Sequence, residues 1–195
     1  MKFFEKDYWN KLFKSNKLSW DIGYASPAIV EYFEQITDKN AKILVAGAGK
    51  GYETEWLWNN NFKNTYYLDF AIEAIKSFKQ RMPQFPDSNI IIEDFFEHNG
   101  QYDFIVEQTF FTSFHPKQRK NFVDKIHELL SSQGKYVGLF FTNDFGLSYP
   151  PFAATKKEYY ELFAKKFEFK IFEIAYNSIK PRKGREFFFV MKKNT

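Results

Sequence analysis

The sequence predicts an α/β fold with a mostly parallel, doubly wound, seven-stranded sheet that ends in an antiparallel hairpin. Three observations support this prediction. Short apolar runs typical of buried strands alternate with amphipathic segments of helical period from residue 42 onward. A glycine-rich turn, Gly47-Ala-Gly-Lys-Gly51, joins the first of these runs to a helical pattern. Near the end of the chain, two strand-like runs lie too close together for a helical crossover, so we expect them to pair antiparallel.

The expected elements follow in order along the chain. Apolar residues at helical spacing predict a short helix over 5–14, and Ser26-Pro27, a capping residue before a proline, predicts a second helix through about Ile36. Five strands then alternate with helices: strands at Ile43–Ala46, Thr65–Leu68, Ile90–Glu93, Phe104–Glu107 and Lys135–Phe141, and helices at 52–60, 71–80 and Pro116–Leu130, the last ending near Gly134. After a loop over 142–154 come a helix around Lys156–Lys166 and two strands, Phe169–Ala175 and Glu186–Met191, with Pro181 and Gly184 in their turn.

Length and composition predict one domain and exclude several kinds of site. The 195 residues suit a single domain over 1–195, with two helices in residues 1–36 before an α/β core in residues 41–195. The absence of cysteine excludes disulfides, thiolate zinc sites and cysteine nucleophiles, and is typical of a reducing compartment. No apolar run approaches membrane-spanning length, so we expect a cytoplasmic protein without membrane contact.

The charge pattern gives a weak indication of anionic partners. The net charge of +4 comes from lysines scattered along the chain. Four basic residues gather in Lys180-Pro-Arg-Lys-Gly-Arg185, which could bind a phosphate or an anionic substrate, or could form a solvated surface hairpin. The 26 phenylalanines belong to the residue types that an AT-rich genome favours, so aromatic content alone does not indicate a binding site.

The glycine-rich turn predicts a nucleotide-type cofactor site. Three positions without side chains let the backbone turn sharply and approach a ligand, and the next helix directs its unpaired N–H groups toward it. The alternative is a turn that only connects a strand to a helix. Asp69, at the end of the next predicted strand, favours the cofactor site because a carboxylate there can accept hydrogen bonds from ribose hydroxyls.

Four of the predicted strands end at Gly47, Asp69, Asp94-Phe95 and Glu107-Gln108, which places a row of polar groups above the sheet. Ligands of open α/β sheets bind outside the carboxyl ends of the strands, so one adenosine-like ligand explains the row. The spacing G-x-G-x-G departs from the dinucleotide-binding G-x-G-x-x-G and favours S-adenosylmethionine over NAD. Asp94 would accept from the adenine amino group, with Phe95 supplying a backbone N–H and an apolar face; the alternative for Asp94 is a cap of the following loop.

Five segments resemble the class I methyltransferases of the thiopurine, thiol and halide methyltransferase family. They span nearly the whole chain: Trp9-x-x-x-Phe13, Ser19-Trp-Asp-Ile-Gly23, Val45-Ala-Gly-Ala-Gly-Lys-Gly51, Tyr102-Asp-Phe-Ile-Val-Glu-Gln-Thr-Phe-Phe111 and Pro181-Arg-Lys-Gly-Arg-Glu186. The Trp-Asp-x-Gly entry and the closing Arg-Lys-Gly-Arg-Glu are the most specific of these. The resemblance implies a Rossmann-like class I methyltransferase that uses S-adenosylmethionine and releases S-adenosylhomocysteine.

The same resemblance implies the cofactor-binding residues. The N-terminal helices would form a lid that covers the cofactor with aromatic side chains, since ring faces stabilise a sulfonium cation and keep its methyl group dry. The alternative is that Trp9 and Trp20 only pack the first helix onto the core. This chain departs from the family's pattern at two of these positions: Phe13 stands where the family has a tryptophan, and Gln108 stands where a tyrosine is common. The implied residues are Trp9, Phe13, Trp20, Gly47, Gly49, Gly51, Asp69, Asp94, Phe95 and Gln108.

The implied reaction is an in-line displacement with a neutral leaving group, so alignment and desolvation can carry it without a metal. We expect a small soft nucleophile as acceptor, such as a thiol, thiocyanate or halide, and no nucleic-acid partner. A thiolate or halide needs no general base, and the sequence assigns no catalytic residue; the three histidines do not cluster, and His115 is expected at a helix start. The acceptor pocket is expected near Phe110, Phe111, Tyr149, Arg182 and Arg185.

Two other functions fit the sequence. The net positive charge and the basic hairpin fit an RNA or protein methyltransferase. A fold and a cofactor site also fit a non-catalytic S-adenosylmethionine-binding protein.

Overall fold

The structure is a computed structural model that describes residues 4–16, 18–142 and 146–194. The predicted loop over 142–154 therefore lies partly outside the described residues. Six α-helices are present in this part: α1 (Lys6–Ser15), α2 (Pro27–Glu34), α3 (Tyr52–Asn59), α4 (Ile72–Arg81), α5 (Arg119–Leu129) and α6 (Lys156–Phe163). The strands are β1 (Ile43–Ala46), β2 (Thr65–Leu68), β3 (Ile90–Ile91), β4 (Tyr102–Gln108), β5 (Leu130–Phe141), β6 (Phe167–Ile174) and β7 (Glu186–Lys193).

The strands form one seven-stranded sheet in the order β3-β2-β1-β4-β5-β7-β6. The first five strands along the chain pair in parallel. β7 lies between β5 and β6 and is antiparallel to both. The predicted doubly wound sheet with a C-terminal antiparallel hairpin is confirmed. The chain adds β2 and β3 on one side of β1 and the later strands on the other side, so the strand order reverses between β1 and β4, which is where open α/β sheets bind ligands.

Several boundaries differ from the prediction for physical reasons. β3 stops at Ile91 rather than Glu93, because the carbonyl of Asp94 accepts from the N–H groups of Glu97 and His98 and so begins a turn. The predicted helix Pro116–Leu130 opens with a 3-10 turn and ends at Leu129. Leu130 already pairs with β4, so Gly134 lies inside β5 and does not end a helix.

Aromatic side chains fill the core on both faces of the sheet. The Phe140 ring stacks on Phe189 at 4.0 Å between centroids and on Tyr159 at 4.5 Å. Rings in such contacts add stabilisation beyond the area they bury. The high phenylalanine content therefore serves packing. Within the described ranges, no helix has the length and apolarity needed to cross a bilayer.

The N-terminal segment lies on the edge of this core. α1 has no fully buried residue and contacts α4, where the Asn10 side chain accepts from the N–H of Glu73. α2 is anchored more firmly: Ser26 makes no side-chain cap, contrary to the prediction, and instead donates its N–H to the buried carboxylate of Glu53. The segment between α1 and α2 is thereby held above the carboxyl ends of the strands.

Candidate active site

A cavity of about 850 Å³ lies at the carboxyl ends of β1, β2 and β4. The segment around α1, the glycine turn after β1, the loop after β3 and the β6–β7 hairpin complete its walls. Nine of the residues predicted to bind a cofactor line this cavity: Trp9, Phe13, Trp20, Gly47, Gly49, Asp69, Asp94, Phe95 and Gln108. Gly51 does not line it.

The three glycines of the turn all have left-handed backbone conformations, with φ of +60° at Gly47, +54° at Gly49 and +72° at Gly51. An added Cβ would lie 1.9 Å from the Phe110 ring at Gly47 and 2.4 Å from the Phe78 ring at Gly51. At Gly49 the nearest atom would be 3.5 Å away. A Cβ at Gly49 would therefore make only an ordinary contact with the Phe13 ring, whereas Gly51 is required for packing.

The carboxylate of Asp69 ties the end of β2 to the glycine turn. Its Oδ2 accepts from the Gly49 N–H at 2.9 Å and its Oδ1 from the Ala71 N–H at 2.8 Å. Burial raises the pKa of this carboxyl, although these backbone donors oppose the shift. A carboxylate offers about four acceptor positions, so Asp69 can still accept from a ligand hydroxyl.

The wall after β3 combines a turn with a core residue. The Asp94 Oδ1 accepts from the Phe96 N–H at 2.8 Å, so the carboxylate caps its own loop while it borders the cavity. Phe95 is only 2% exposed and stacks on Phe122, with 4.9 Å between centroids. The expected apolar ring face at Phe95 is thus largely used by the core.

The end of β4 carries one buried donor that has no partner among the described residues. This donor is the Nε2 of Gln108. Its neighbour Glu107 is fully buried, and its Oε2 accepts from the N–H groups of Phe110 (2.5 Å) and Phe111 (3.1 Å). Burial raises the pKa of Glu107 to about 8. Glu107 therefore shapes the turn, and Gln108 borders the cavity.

Aromatic rings cover one side of the cavity. Trp20 meets Trp9 edge to face at 5.5 Å and Phe13 at 6.0 Å between centroids. The Trp9 Nε1 donates to the Phe4 carbonyl at 3.1 Å. These rings are half-buried and border the cavity instead of inserting into the core.

Two contacts that sequence reasoning missed fix this aromatic cover. The Nζ of Lys50, inside the glycine turn, lies 2.6 Å from the Asp21 Oδ2 and donates to the Asn16 side chain at 3.1 Å. On the opposite side, Arg182 donates from Nη2 to the Trp20 carbonyl at 2.6 Å. Asp21 belongs to the Trp-Asp-x-Gly motif and Lys50 to the glycine motif, so each was visible in the sequence, but their pairing was not.

Three of the five residues predicted near the acceptor line the cavity, and two do not. Phe110, Arg182 and Arg185 line the cavity. Phe111 does not, because the turn held by Glu107 directs it into the core, where it is fully buried. Tyr149 does not line the cavity either: it is 49% exposed, and Pro150 and Pro151 border the space instead.

The guanidinium groups of Arg182 and Arg185 differ in their hydrogen-bond and ion-pair partners. Arg182 is buried and donates from Nη1 to the Glu186 Oε1 at 3.0 Å, in addition to its bond to Trp20. Arg185 is exposed to the cavity, and its guanidinium makes no hydrogen bond or ion pair with a described residue. The predicted anion-binding role therefore fits Arg185, whereas Arg182 is bonded to Trp20 in the segment between α1 and α2.

The described residues contain no histidine in the cavity wall and no group of three or more histidine or acidic side chains placed to hold a metal ion. His115 caps the 3-10 turn Pro116–Gln118, with its Nδ1 accepting from the Lys117 N–H at 3.2 Å. The predicted helix-start role of His115 is confirmed.

Residues 4–193 match the thiopurine S-methyltransferase family. The chain belongs to this family. Among curated relatives, it is 27% identical over 185 residues to the probable thiol methyltransferase 2 of Arabidopsis thaliana, covering 91% of this chain and 81% of that protein. It is 24% identical over 189 residues to the thiocyanate methyltransferase 1 of Brassica oleracea, covering 93% and 83%.

Solved structures agree with this family in fold. The 1,6-didemethyltoxoflavin-N1-methyltransferase of Burkholderia thailandensis, crystallised with S-adenosylhomocysteine, superposes with a TM-score of 0.79 at 16% identity, covering 97% of this chain and 87% of that one. Family membership makes this chain a class I methyltransferase that depends on S-adenosylmethionine. The cavity fits this cofactor: a Cβ at Gly49 would meet only an ordinary contact, and Gln108 in the wall has a buried donor without a partner among the described residues.

Proposed function

We propose that the protein transfers a methyl group from S-adenosylmethionine to a small, soft, anionic nucleophile such as a thiolate, thiocyanate or halide. The observation that carries the proposal is a cavity with an aromatic cover, carboxylates on one side and, on the other, a guanidinium that has no partner among the described residues. The relatives named as thiol and thiocyanate methyltransferases support the same class of acceptor.

In this proposal the cofactor residues act by holding and orienting. Asp69 would accept from ribose hydroxyls and Asp94 from the adenine amino group, and Gln108 would border the bound cofactor. Gly47 and Gly49 would let the backbone approach the ligand, and Gly51 would keep the turn packed. When bound, S-adenosylmethionine supplies an electrophilic methyl group on a sulfonium that departs as a neutral thioether.

The lid supplies two further effects. Trp9, Phe13 and Trp20 present ring faces or edges to the cavity, and ring faces stabilise a nearby cation. The same rings exclude water, which removes part of the hydration shell of an anionic nucleophile and so increases its reactivity. Phe110, above Gly47, adds an apolar wall on the acceptor side.

The polar groups of the cavity favour an acceptor that arrives already deprotonated. The described wall contains no histidine, its carboxylates Asp69 and Asp94 are assigned to the cofactor in this proposal, and Glu107, whose pKa is raised, is buried outside it. A neutral hydroxyl or carbon acid would need a general base. A thiolate, thiocyanate or halide needs only a place for its negative charge, and Arg185 provides a guanidinium for it.

Radioactive methyl transfer from S-adenosylmethionine tests the reaction. We expect label in a panel of thiols, thiocyanate and iodide, and none in RNA. Label in RNA or protein but in no small acceptor would overturn the proposal. Binding of S-adenosylhomocysteine without transfer to any acceptor would identify a sensor, and a thermal shift with NAD but not with S-adenosylhomocysteine would exclude the cofactor assignment.

Arg185→Gln tests the acceptor site. It should raise the KM for thiocyanate and iodide severalfold and leave the affinity for S-adenosylhomocysteine unchanged, because the residue lies away from the carboxylate side. Lys183→Gln is the matched control, since Lys183 is an exposed cation of the same hairpin that does not line the cavity. Equal KM values in the two variants would remove Arg185 from the acceptor site.

A further inference from the structure

Side chains, and not the sheet, hold the cavity wall that follows β3. β3 is an edge strand that pairs with β2 only at Ile90 and Ile91, so residues 92–98 join no strand ladder. Residues 92–96 nevertheless all line the cavity. An edge segment without ladder bonds needs other contacts to stay in one position.

Those contacts converge on His98, a residue that is 5% exposed and lies outside the cavity wall. Its N–H donates to the Asp94 carbonyl at 3.2 Å, and its own carbonyl accepts from the Nζ of Lys125 at 3.1 Å. Its ring Nδ1 is hydrogen-bonded to the carboxylate of Glu93, and its Nε2 lies 2.8 Å from the Tyr102 hydroxyl. The ring therefore links the first residue of β4 to the cavity wall.

Hydrogen-bond chemistry gives this link a direction. The Glu93 carboxylate can only accept, so the Nδ1 of His98 donates to it, and in the neutral ring the Nε2 then accepts from Tyr102. Burial raises the pKa of Tyr102 to about 12, so its hydroxyl keeps the proton that it donates. With a neutral His98 ring, the bonds run from Tyr102 through His98 to Glu93, and each of the three polar groups has a partner.

We infer that His98 is a positioning residue for cofactor binding, which it supports through Glu93 and the neighbouring Asp94. This inference rests on the proposed function, in which Asp94 meets the adenine amino group. Fixing Glu93 and the Asp94 carbonyl fixes the peptide that carries the Asp94 carboxylate. His98 touches neither ligand space nor reacting atoms, so its effect is on affinity and not on chemistry.

The test compares His98→Phe, which keeps a ring but removes both nitrogens, with Tyr102→Phe, which removes only the hydroxyl. Calorimetry should show S-adenosylhomocysteine binding weakened roughly three- to tenfold in His98→Phe, the cost of about one hydrogen bond, and less in Tyr102→Phe. The KM for S-adenosylmethionine should rise while kcat at saturation stays unchanged. Hydrogen exchange of the amides in 94–98 should be faster in both variants.

His127→Phe is the matched control, because His127 lies on α5 away from the cavity wall. Folded His98→Phe and Tyr102→Phe proteins that bind and exchange like this control would overturn the inference, whatever their melting temperatures. If His98→Phe does not fold, Tyr102→Phe decides. If the wild-type protein binds no S-adenosylhomocysteine, the proposed function fails, and the exchange measurement alone decides the role of His98.

Discussion

Arg182→Met removes a buried guanidinium while keeping an unbranched side chain. It leaves the Glu186 carboxylate, 3% exposed, with the Ser178 hydroxyl at 2.7 Å but without its cation, and it leaves the Trp20 carbonyl without its donor. Removing one partner of a buried ion pair costs about 3–5 kcal/mol. In a domain of this size, 1 kcal/mol lowers Tm by about 2–4 °C, so Tm should fall by roughly 6–20 °C.

Urea denaturation and calorimetry measure this loss, with Lys183→Met as the exposed control. The double variant Arg182→Met, Glu186→Gln should regain part of the stability, because no unpaired charge then remains buried. A loss below about 1 kcal/mol in Arg182→Met, or no recovery in the double variant, would refute the reasoning. A raised acceptor KM at unchanged stability would instead restore Arg182 to the acceptor site that the sequence predicted.

Three further predictions concern Asp69, Gly51 and Glu107. Asp69→Ala should weaken S-adenosylhomocysteine binding by about 1–3 kcal/mol in calorimetry, and unchanged affinity in a folded variant would remove Asp69 from the site. Gly51→Ala should lower the free energy of unfolding more than Gly23→Ala does, since both have positive φ but only Gly51 would press a Cβ into Phe78; equal losses would contradict the packing role. The pKa of Glu107 is raised from 4.5 to about 8, so the folded state retains a proton that the unfolded state loses, and stability should fall as pH rises between these values. Glu107→Gln should lack this fall, and parallel stability curves for wild type and variant would contradict it.

Local sequence patterns were sufficient to predict most of the helices and strands. β1 and β2 lie at the predicted residues because each is a short apolar run between polar or glycine-rich segments. β3 was predicted too long, since the sequence does not reveal that the ladder of its partner ends at Leu68. Gly134 was interpreted as a helix end, although pairing with β4 draws it into a strand.

In the candidate site, too, local sequence signals predicted some residues correctly, whereas roles that depend on contacts distant in sequence were not predicted. The positions of Gly49 and Asp69 follow from a glycine turn and a strand end, both local signals. Phe110 and Phe111 could not be separated, because Glu107 decides through its hydrogen bonds which ring turns toward the cavity. The roles of Arg182 and Arg185 depend on a contact with Trp20 that spans most of the chain, and a single sequence does not record such contacts.

Lys50 is paired with Asp21, and Arg182 with Glu186. Among the other charged residues of the described cavity wall, Asp69, Glu93 and Asp94 make the side at the ends of β2 and β3 negative, Arg185 makes the hairpin side positive, and Glu5 and Lys6 in the N-terminal segment carry opposite charges. Opposite charges interact more strongly where the rings keep water away, because the effective dielectric constant is lower there. Such a wall suits the meeting of a cation with an anion, since each partner faces its opposite charge and neither has to gain or lose a proton.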